Sequence, residues 1–409
     1  MKSPKIRFKE FQNEWNSRIL GDFNIEMLKG SGISKNDLNN NGKNPCIHYG
    51  ELFTYYKEFI TEIKSKTNNG SVFSKINDVL MPTSDVTPNG LAKASCIKFD
   101  NVALSGDILI LRCKDKIDGV FLAYIIRSNK KKILELVSGT TVYHIYAKDM
   151  KNFNLYYPND IKEQEKIGEF FRKIDGILDL ENSRFKKLEN FKKTMLDKLF
   201  VKDGADEPQI RLGSFKGEWN SRILGDIGET YCGLSGKNKD DFGHGNAKFV
   251  PYINIFQNSI VNLAKLEKIE IDKRQNSVKN GDIFFTTSSE TPQEVAMSSV
   301  YLGNEENIYL NSFCFGFRPK EFLNSYFLAY FFRSHYFRDK VIPLAQGISR
   351  YNISKNKMME LKIRIPNDIK EQEAIGEFFR KIDGILEFSQ KKITKLENIK
   401  KYLLNKMFM

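Results

Sequence analysis

Residues 158–178 read PNDIKEQEKIGEFFRKIDGIL, and this segment occurs twice in a chain of 409 residues. The second copy occupies residues 366–386 and differs at one position, where Ala374 replaces Lys166. A second segment, EWNSRILGD, begins at Glu14 and returns unchanged at Glu218. The spacings of 208 and 204 residues show that one unit, about half the chain long, is used twice.

Weaker matches fill the interval between the two strong repeats. They pair residues 77–88 with 281–292, residues 121–128 with 327–334, and residues 138–145 with 346–353. The two copies differ most where their composition is strand-like or loop-like, and least where it is helix-like. This contrast favours a common scaffold that carries two different binding domains. The alternative interpretation is an ordinary duplication that has diverged with age.

Composition bounds the class of protein. The length predicts two or three domains, and the 41% apolar residues with 32 Phe exclude a disordered chain. The 64 Lys and Arg outnumber the 51 Asp and Glu, for a net charge of +13. An excess of this size favours an anionic partner, with nucleic acid first and an acidic membrane surface second.

Cysteine usage and hydropathy indicate the compartment. The five cysteines are odd in number and form no CxxC pair, which argues against a disulfide framework and a cysteine zinc site. The N-terminal residues lack the apolar core of a signal peptide, and no run of 18 apolar residues occurs. We therefore expect a cytoplasmic protein with no membrane partner.

Each copy of the long repeat opens a heptad pattern. Eight of the ten a and d positions are apolar in each copy, which is typical of a coiled coil. Asp160 with Glu163, and Asp368 with Glu371, resemble capping-box starts after a proline. The predicted seam consists of Ile167, Phe171, Ile174, Leu178, Leu188, Ile375, Phe379, Ile382, Leu386 and Leu396.

Two such helices in one chain are expected to pair with each other as an antiparallel coiled coil with approximate two-fold symmetry. The alternative is two ordinary long helices, each packed on its own domain. Strand-like runs at residues 79–81, 107–111, 282–286 and 313–317 precede the helices. The predicted fold is α+β, with two α/β domains (1–157 and 209–365), a central helix (158–200), a linker (201–208) and a distal helix (366–409).

The divergent segments contain the candidate DNA-binding residues. Lysine and hydroxyl groups suit phosphate contacts, whereas Asn, Gln and Arg side chains can read base edges. In the first half the candidates are Lys29, Ser31, Lys35, Lys43, His48, Tyr49, Thr83, Ser84, Thr140, Thr141 and His144. In the second half they are Lys237, Lys239, Tyr252, Asn254, Thr286, Thr287, Ser288, Gln346, Ser349, Arg350 and Tyr351.

Each candidate also has a simpler interpretation as a solvated turn residue, and the aromatic ones as core residues. Arg350 is the best single candidate for a base or phosphate contact. Its counterpart Val142 has no charge, so the two halves cannot read the same target in the same way at this point.

Motifs for catalysis are missing from the sequence. None of the four histidines recurs at the matching position of the other half, and GSGIS at Gly30 lacks the rest of a nucleotide-binding pattern. No Walker motif and no Asn-Pro-Pro-aromatic methyltransferase motif occurs. We therefore predict no catalytic and no metal-binding residues, and a protein that is not an enzyme.

These features together resemble a known family. Two divergent domains, each followed by a near-identical helix that opens with P-x-D-x-x-E-Q, look like the specificity subunit of type I restriction–modification systems. The segments YGELFTYY at Tyr49 and GLSGKNKDDFGHGNAKFVPYINIF at Gly233 resemble its target-recognition domains. The resemblance covers essentially the whole chain.

The resemblance implies a function in sequence-specific recognition of double-stranded DNA. Each target-recognition domain would read one half of a bipartite target, while the helical pair would set the gap and dock two modification (adenine methyltransferase) subunits. Restriction and translocase subunits would join the complex. S-adenosylmethionine, ATP and Mg are expected on these partners, and no cofactor on this chain.

Two alternatives stay open. One is a non-DNA coiled-coil adaptor with two binding domains for acidic protein partners, and the other is a fused methyltransferase–nuclease recognition fragment. We expect the outward residues Lys162, Glu169, Arg172 and Lys173 of the long repeat to contact a partner. The basic stretch at residues 184–202 could follow DNA phosphates or form a solvated helix face.

Overall fold

The computed structural model describes residues 3–114 and 116–409. The chain divides into two compact units, each of which combines one globular domain with parts of both long helices. The first unit comprises Met1–Asn182 with Lys391–Met409, and the second comprises Ser183–Gln390.

The described residues of the first unit form twelve strands and the start of the first long helix. The strands are β1 (Asn16–Ile19), β2 (Ile25–Lys29), β3 (Asn44–Ile47), β4 (Phe59–Ile60), β5 (Ser65–Thr67), β6 (Asp78–Pro82), β7 (Ser84–Asp85), β8 (Ser95–Ile97), β9 (Ala103–Leu104), β10 (Ile108–Cys113), β11 (Tyr143–His144) and β12 (Asn154–Tyr157). The helices are α1 (Glu51–Thr54), α2 (Gly119–Ser128), α3 (Lys130–Leu134), α4 (Ala147–Met150) and α5 (Ile161–Lys198).

A five-stranded sheet in the order β2-β10-β6-β8-β4 forms the centre of the first unit. Strand β10 pairs antiparallel with both β2 and β6, whereas β4 and β8 are parallel. A three-stranded sheet β5-β3-β9 and the two-stranded pairs β1-β12 and β11-β7 complete it. The predicted strand-like runs at residues 79–81 and 107–111 fall on β6 and β10, which are nearly continuous apolar segments buried at the centre of this sheet.

The second unit repeats this arrangement. Its strands are β13 (Asn220–Ile223), β14 (Gly228–Cys232), β15 (Phe242–Val250), β16 (Glu267–Ile269), β17 (Ile283–Thr286), β18 (Ser288–Ser289), β19 (Ser298–Val300), β20 (Ile308–Leu310), β21 (Cys314–Pro319), β22 (Tyr351–Asn352) and β23 (Lys362–Ile365). Its helices are α6 (Leu224–Ile227), α7 (Tyr252–Gln257), α8 (Ser325–Phe331), α9 (His335–Val341), α10 (Lys355–Met359) and α11 (Ile369–Met407). The sheets are β14-β21-β17-β19, β16-β15-β20, β13-β23 and β18-β22, and they match those of the first unit except that the central sheet has four strands instead of five. A single parallel bridge between Ile260 and Val300 takes the place of β4.

In each unit the main core joins the globular domain to the helices. In the first unit Phe171 of α5 packs on Tyr124 of α2 and on Phe408, just after the end of α11, with ring centroids 5.3 and 5.6 Å apart. In the second unit Phe379 of α11 packs on Tyr330 of α8 and on Phe200, just after α5, at 5.0 and 6.1 Å. Each globular domain therefore shares its core with both helices.

The two helices run antiparallel, as the heptad pattern predicted. In the first unit Lys392 of α11 forms an ion pair with Glu181 of α5, and Lys400, further along α11, pairs with Asp175, which is earlier in α5. The residue numbers change in opposite directions, as they do in an antiparallel pair. The second unit shows both helices in contact as well, with Phe191 of α5 on Phe378 and Phe200 on Phe379. Most predicted seam residues are buried, with Ile174, Leu188, Leu386 and Leu396 partly buried. Within residues 3–114 and 116–409, no helix is both long and apolar enough to cross a membrane.

Candidate nucleic-acid interface

In the first unit, candidate residues from distant parts of the chain meet at one end of the central sheet. The register places Lys29 of β2 opposite Leu109, and Pro82 of β6 opposite Ile108. The turn before β10 links them, because the Asp107 carbonyl accepts a hydrogen bond from the Thr83 backbone N–H (3.0 Å) and its carboxylate lies 3.9 Å from the Lys29 Nζ. This end of the sheet is where the predicted contacts converge.

A short hairpin extends from the same end. Ser138 and His144 exchange backbone hydrogen bonds of 3.0 and 2.7 Å, and Thr140 and Thr141 lie exposed at the tip. Strand β11 of this hairpin pairs with β7, which brings His144 opposite Ser84. The candidates Thr83, Ser84, Thr140, Thr141 and His144 are thus neighbours in the fold, although more than 50 residues separate the first two from the others in sequence.

The second unit has the equivalent hairpin at the equivalent end. Gln346 and Asn352 exchange backbone hydrogen bonds of 2.9 and 2.8 Å, and β22 pairs with β18. Gly347 has φ +141°, and a Cβ there would overlap the Arg350 carbonyl oxygen, so this turn requires glycine. Ser349 and Arg350 are exposed at the tip, which is held in place by the strand pairing.

Tyr252 joins this cluster from α7. Its hydroxyl donates a hydrogen bond of 2.8 Å to the Ser288 carbonyl oxygen, and burial raises the pKa of the phenol. The backbone N–H of Ile353, at the end of the hairpin, donates to the Thr287 carbonyl oxygen at 3.0 Å. The structure therefore brings Tyr252, Thr287, Ser288 and the hairpin together.

Several other candidates have their polar atoms engaged inside the unit. The Asn254 side chain is buried, donates to the carbonyls of Asn262 and Lys265, and accepts from the Asn262 N–H. The Thr286 hydroxyl is fully buried and accepts from the Met297 N–H. These contacts argue against base reading by Asn254 and Thr286, because each would have to give up an internal hydrogen bond.

Two further candidates, Lys237 and Thr83, are poorly accessible to DNA. The ammonium of Lys237 lies 3.1 Å from the Asp272 carboxylate, and this contact raises the pKa of the lysine. Thr83 is buried just after the end of β6. A phosphate contact by Lys237 would have to compete with an acid that is already paired with it.

The remaining basic candidates are free to meet solvent. Lys35, Lys43 and Lys239 are exposed, whereas Ser31, His48 and Tyr49 are partly buried. Burial lowers the pKa of His48, partly offset by Glu51 and Asp107, so this imidazole is a neutral hydrogen-bonding group near pH 7.

Sequence reasoning overlooked the apolar members of these surfaces. Ile348, beside Ser349 on the second hairpin, is 96% exposed, the highest value among the exposed large apolar side chains of the described chain. Phe313 lies at the same sheet end, where the Thr287 N–H donates to its carbonyl oxygen, and its ring is exposed. Val86 and Val142 are exposed at the first hairpin. The alignment of the two hairpin segments could have identified Ile348 and Val142, since both belong to turns that contain a required glycine.

In the repeated P-x-D-x-x-E-Q segment, the glutamate and glutamine side chains make hydrogen bonds within their own unit. The sequence suggested that Glu163 takes part in a capping box. In the structure its carboxylate accepts two hydrogen bonds from Arg7 and one from the Trp15 indole. The Gln164 amide accepts from the Asp118 N–H just before α2 and donates to the Pro158 carbonyl. The Asp160 carboxylate caps the helix through the Lys162 N–H.

The second copy repeats each of these contacts. Glu371 accepts from Arg211 and from the Trp219 indole, while Gln372 accepts from the Asn324 N–H at the start of α8 and donates to the Pro366 carbonyl. The repeated segment therefore fastens each globular domain to the start of its own helix. Among residues 3–114 and 116–409, no group of three or more His, Cys, Asp or Glu side chains is arranged to hold a metal ion.

Each unit combines a globular domain with segments of both long helices, and each has a polar and apolar surface at one sheet end. The family model for the type I restriction modification DNA specificity domain matches residues 12–190 and again residues 216–398. The chain belongs to this family. As a specificity subunit it is the non-catalytic, DNA-binding component of a type I restriction–modification system.

Two relatives agree with this assignment. The type I restriction enzyme MjaVIII specificity subunit of Methanocaldococcus jannaschii is 22% identical and matches over 96% of this chain and 91% of its own length. The putative MjaX specificity subunit of the same organism is 25% identical over 73% of this chain and 69% of its own.

Two solved structures share the fold. The S subunit of the type I restriction–modification system from M. genitalium superposes with a TM-score of 0.61 at 16% identity, covering 100% of this chain and 99% of that one. A chain from a structure described as the basis of complex assembly and conformational transition of the type I R-M system superposes with a TM-score of 0.54 at 16% identity. The match covers 96% of this chain and 97% of that one.

Proposed function

We propose that each unit reads one half of a bipartite double-stranded DNA target, and that the helical pair sets the gap between the halves and docks two methyltransferase subunits. The observation that carries this proposal is a contrast. The hairpin ends of the two units differ in sequence, whereas the exposed faces at the start of the two long helices are nearly identical.

The two hairpins present different chemistry on the same backbone. Thr140, Thr141 and Val142 in the first unit correspond to Ile348, Ser349 and Arg350 in the second. Hydroxyl groups accept and donate single hydrogen bonds, whereas Arg350 can make a bidentate contact to guanine. Surfaces of such different composition recognise different half-sites, so the complete target is asymmetric.

We assign the phosphate contacts to exposed lysines of each unit. Lys29, Lys35 and Lys43 in the first unit and Lys239 in the second are exposed. The net charge of +13 supports this function, because each phosphate contact releases a counterion and strengthens binding at low salt. The lysines orient the chain on DNA, and the hairpins supply the sequence preference.

The docking surface is the exposed face that both helices retain. Lys162, Glu165, Arg172, Lys173 and Ile177 are exposed on α5, and each is identical to the residue 208 positions later on α11. Internal packing explains Glu163, Gln164 and Phe171. Arg172 also lies over the Phe59 ring, 5.3 Å from its centre, but its side chain remains exposed. Two equivalent exposed faces fit two copies of one partner.

Two glycines on these faces support the docking proposal. Gly176 and Gly384 lie within α5 and α11, are exposed, and have open space where a Cβ would stand. Glycine within a helix costs about 1 kcal/mol relative to alanine, and the fold of this chain does not require it at either position. Close approach of a partner's backbone would explain why glycine occupies both positions.

The neighbouring glycines provide the contrast. A Cβ at Gly168 would lie 3.1 Å from Asp118 and Val120, and one at Gly376 only 2.7 Å from the Phe327 backbone nitrogen. Gly168 and Gly376 are therefore needed inside their own units. Each helix thus carries one glycine for its own domain and one for the partner.

The partners of this complex supply the chemistry. Two adenine methyltransferase subunits bind S-adenosylmethionine, and restriction subunits use ATP and Mg for translocation and cleavage. The chain itself binds none of these cofactors, and the complex works on DNA in the cytoplasm.

Co-purification of the chain with its methyltransferase partner, followed by footprinting of bound DNA, tests the proposal. We expect two short protected half-sites at one fixed spacing, and adenine methylation that depends on both. Protection of a single continuous site, or of variable spacings, would contradict the bipartite reading. A complex with one methyltransferase per chain would contradict docking on two equivalent faces.

A further inference from the structure

A lysine occupies a seam position in each helix, where the heptad pattern calls for an apolar residue. Lys192 of α5 and Lys400 of α11 are both at position d. A polar residue at one seam position weakens a coiled coil but specifies its register and partner. The side chains around each lysine show what it specifies.

In the first unit, Lys400 completes a cluster of three residues from three helices. Its Nζ lies 2.6 Å from Oδ1 of Asp175 on α5, and the hydroxyl of Tyr124 on α2 donates to Asp175 Oδ2 at 2.6 Å. The Lys400 ammonium also lies 5.6 Å from the centre of the Tyr124 ring. The side chains of Asp175 and Lys400 are 12% and 16% exposed, so water screens the pair only weakly.

The second unit contains the same cluster, assembled from the opposite helix. Lys192 of α5 lies 2.5 Å from Oδ1 of Asp383 on α11, and the Tyr330 hydroxyl on α8 donates to Asp383 Oδ2 at 2.8 Å. The Lys192 ammonium lies 5.5 Å from the Tyr330 ring centre. In both units the tyrosine and aspartate belong to one repeat and the lysine to the other.

Because the lysine comes from the other repeat, each cluster connects one globular domain to both long helices. The tyrosine lies on a helix of the recognition domain, the aspartate on the helix that follows it, and the lysine on the helix of the other repeat. In the first unit Glu58 strengthens the connection, since its carboxylate lies 3.1 Å from Lys400 Nζ and belongs to the recognition domain. A shift of α11 by one heptad would bring Ile393 or Met407 to the Lys400 position and leave Asp175 without its cation.

We propose that the Tyr124–Asp175–Lys400 and Tyr330–Asp383–Lys192 clusters lock the register of the helical pair and so make the gap between half-sites selective. This inference rests on the proposed bipartite function. The three residues of each cluster are positioning residues that act through the helices, not through contact with DNA. An apolar seam alone permits slippage by a heptad, whereas the buried Asp175 opposes any shift that removes its lysine. The Asp383 side chain is 33% exposed, so the Lys192 pair opposes slippage less strongly.

The test replaces each lysine with the residue a coiled coil prefers. Lys400→Leu and Lys192→Leu are made in the full chain, alone and together. Each complex with methyltransferase is assayed on duplexes whose gap is native or differs by up to about three base pairs, because a shift of one heptad moves a helix by about 10 Å. Lys401→Leu and Lys193→Leu, at the next and exposed positions, are the matched controls.

We expect the leucine variants to remain folded, because an apolar residue suits position d, but to melt at a lower temperature than the natural chain. The decrease should be larger for Lys400→Leu, because this change leaves Asp175 buried without its cation. Their preference for the native gap should fall about tenfold, the change that one interaction of ordinary strength produces. The controls should keep the preference of the natural chain. A charge exchange in the second unit, Lys192→Glu with Asp383→Lys, should restore part of the selectivity that Lys192→Glu alone removes.

Three outcomes overturn the inference. They are an unchanged gap preference in both leucine variants, an equal loss in the controls, and a charge exchange no better than Lys192→Glu alone. If either leucine variant fails to fold, Tyr124→Phe and Tyr330→Phe, which remove only a hydroxyl, are assayed instead and must relax the gap preference. Failure of the proposed function is distinguishable, because the natural chain itself would then show no preferred gap.

Discussion

Arg7 donates two hydrogen bonds, of 2.6 and 2.7 Å, to the two carboxylate oxygens of Glu163 across 156 residues of sequence. The pair fastens the N-terminal segment to the first turns of α5, and the Trp15 indole adds a third hydrogen bond at 3.2 Å. Hydrogen bonding to Glu163 raises the pKa of Arg7. The glutamate that opens each long helix is therefore an internal fastening point and not a surface group.

Truncation of this pair is expected to destabilise the first unit. Arg7→Ala leaves the carboxylate of Glu163 buried without its cation, and the free energy of unfolding should fall by roughly 3 kcal/mol. Urea denaturation checks this value, with the exposed Lys9→Ala as control. Arg211→Ala should have a similar effect through Glu371, and a loss no greater than that of Lys9→Ala would contradict the importance of the pair.

Two glycines on α11 are expected to respond to alanine with opposite signs. Gly384→Ala should raise the free energy of unfolding of the isolated chain by about 1 kcal/mol, because the helix gains a better helix former in open space. Gly376→Ala should lower it, because the new methyl group meets the Phe327 backbone nitrogen. Thermal unfolding of both variants measures the difference.

The more stable of these two variants also tests the docking face. Despite its higher stability, Gly384→Ala should bind the methyltransferase subunit more weakly than the natural chain, as measured by calorimetric titration. Gln390→Ala, at an exposed position on another side of α11, provides a binding control. Unchanged affinity for Gly384→Ala would contradict the close approach of a partner's backbone at this glycine.

Arg350 is expected to contribute to the reading of the second half-site only. Arg350→Ala should weaken binding to the correct second half-site by roughly 1–3 kcal/mol if the guanidinium contacts a base. Arg350→Lys keeps the charge but not the bidentate geometry, so it separates base reading from phosphate contact. Binding to a panel of duplexes with single substitutions in each half-site gives the answer.

The pattern of losses distinguishes the two roles of Arg350. For base reading, alanine and lysine should both relax the preference at one position of the second half-site and leave the first half-site unaffected. For phosphate contact, alanine should weaken all duplexes equally while lysine restores binding. A relaxed first half-site would contradict separate reading by the two units.

Acid should weaken the first unit through Glu58. Burial alone would raise the pKa of this carboxyl, but the positive charges of Arg127 and Lys400 outweigh it and bring the pKa below its usual value of 4.5. Because the folded pKa is depressed, the stabilising contribution is complete above pH 4.5 and is lost as the pH falls through the folded pKa.

Unfolding curves measured from neutral pH down to about pH 3 test this dependence. Glu58→Gln should be less stable than the natural chain at neutral pH, and the difference between the two should shrink as the pH falls. A difference that stays constant over this range would show that the ionised form of Glu58 does not contribute.

Much of the architecture was predictable because its signals are local. The repeat, the heptads and the buried strands β6, β10, β17 and β21 follow from patterns within a few turns or strand lengths. The polar residues inside the heptads, such as Lys192 and Lys400, were visible as exceptions. Their partners were not, since Asp175 lies more than 200 residues from Lys400.

The candidate interface was predictable only by residue type. Arg350 and Ser349 lie exposed on a hairpin, but Asn254 and Thr286, which have equally suitable side chains, face inward. Composition cannot tell these cases apart, because the direction of a side chain depends on strand register and on backbone groups contributed by distant loops.

The sequence by itself determined that this protein consists of one unit used twice, with two divergent domains and two long antiparallel helices. Periodic burial of apolar residues is a property of neighbouring positions, so it can be read without a structure. Only the tertiary structure decided which polar residues are internal connections and which are exposed. Pairs such as Arg7–Glu163 and Lys400–Asp175 form when folding brings distant groups within hydrogen-bond distance in a site that excludes water, and no local pattern encodes that distance.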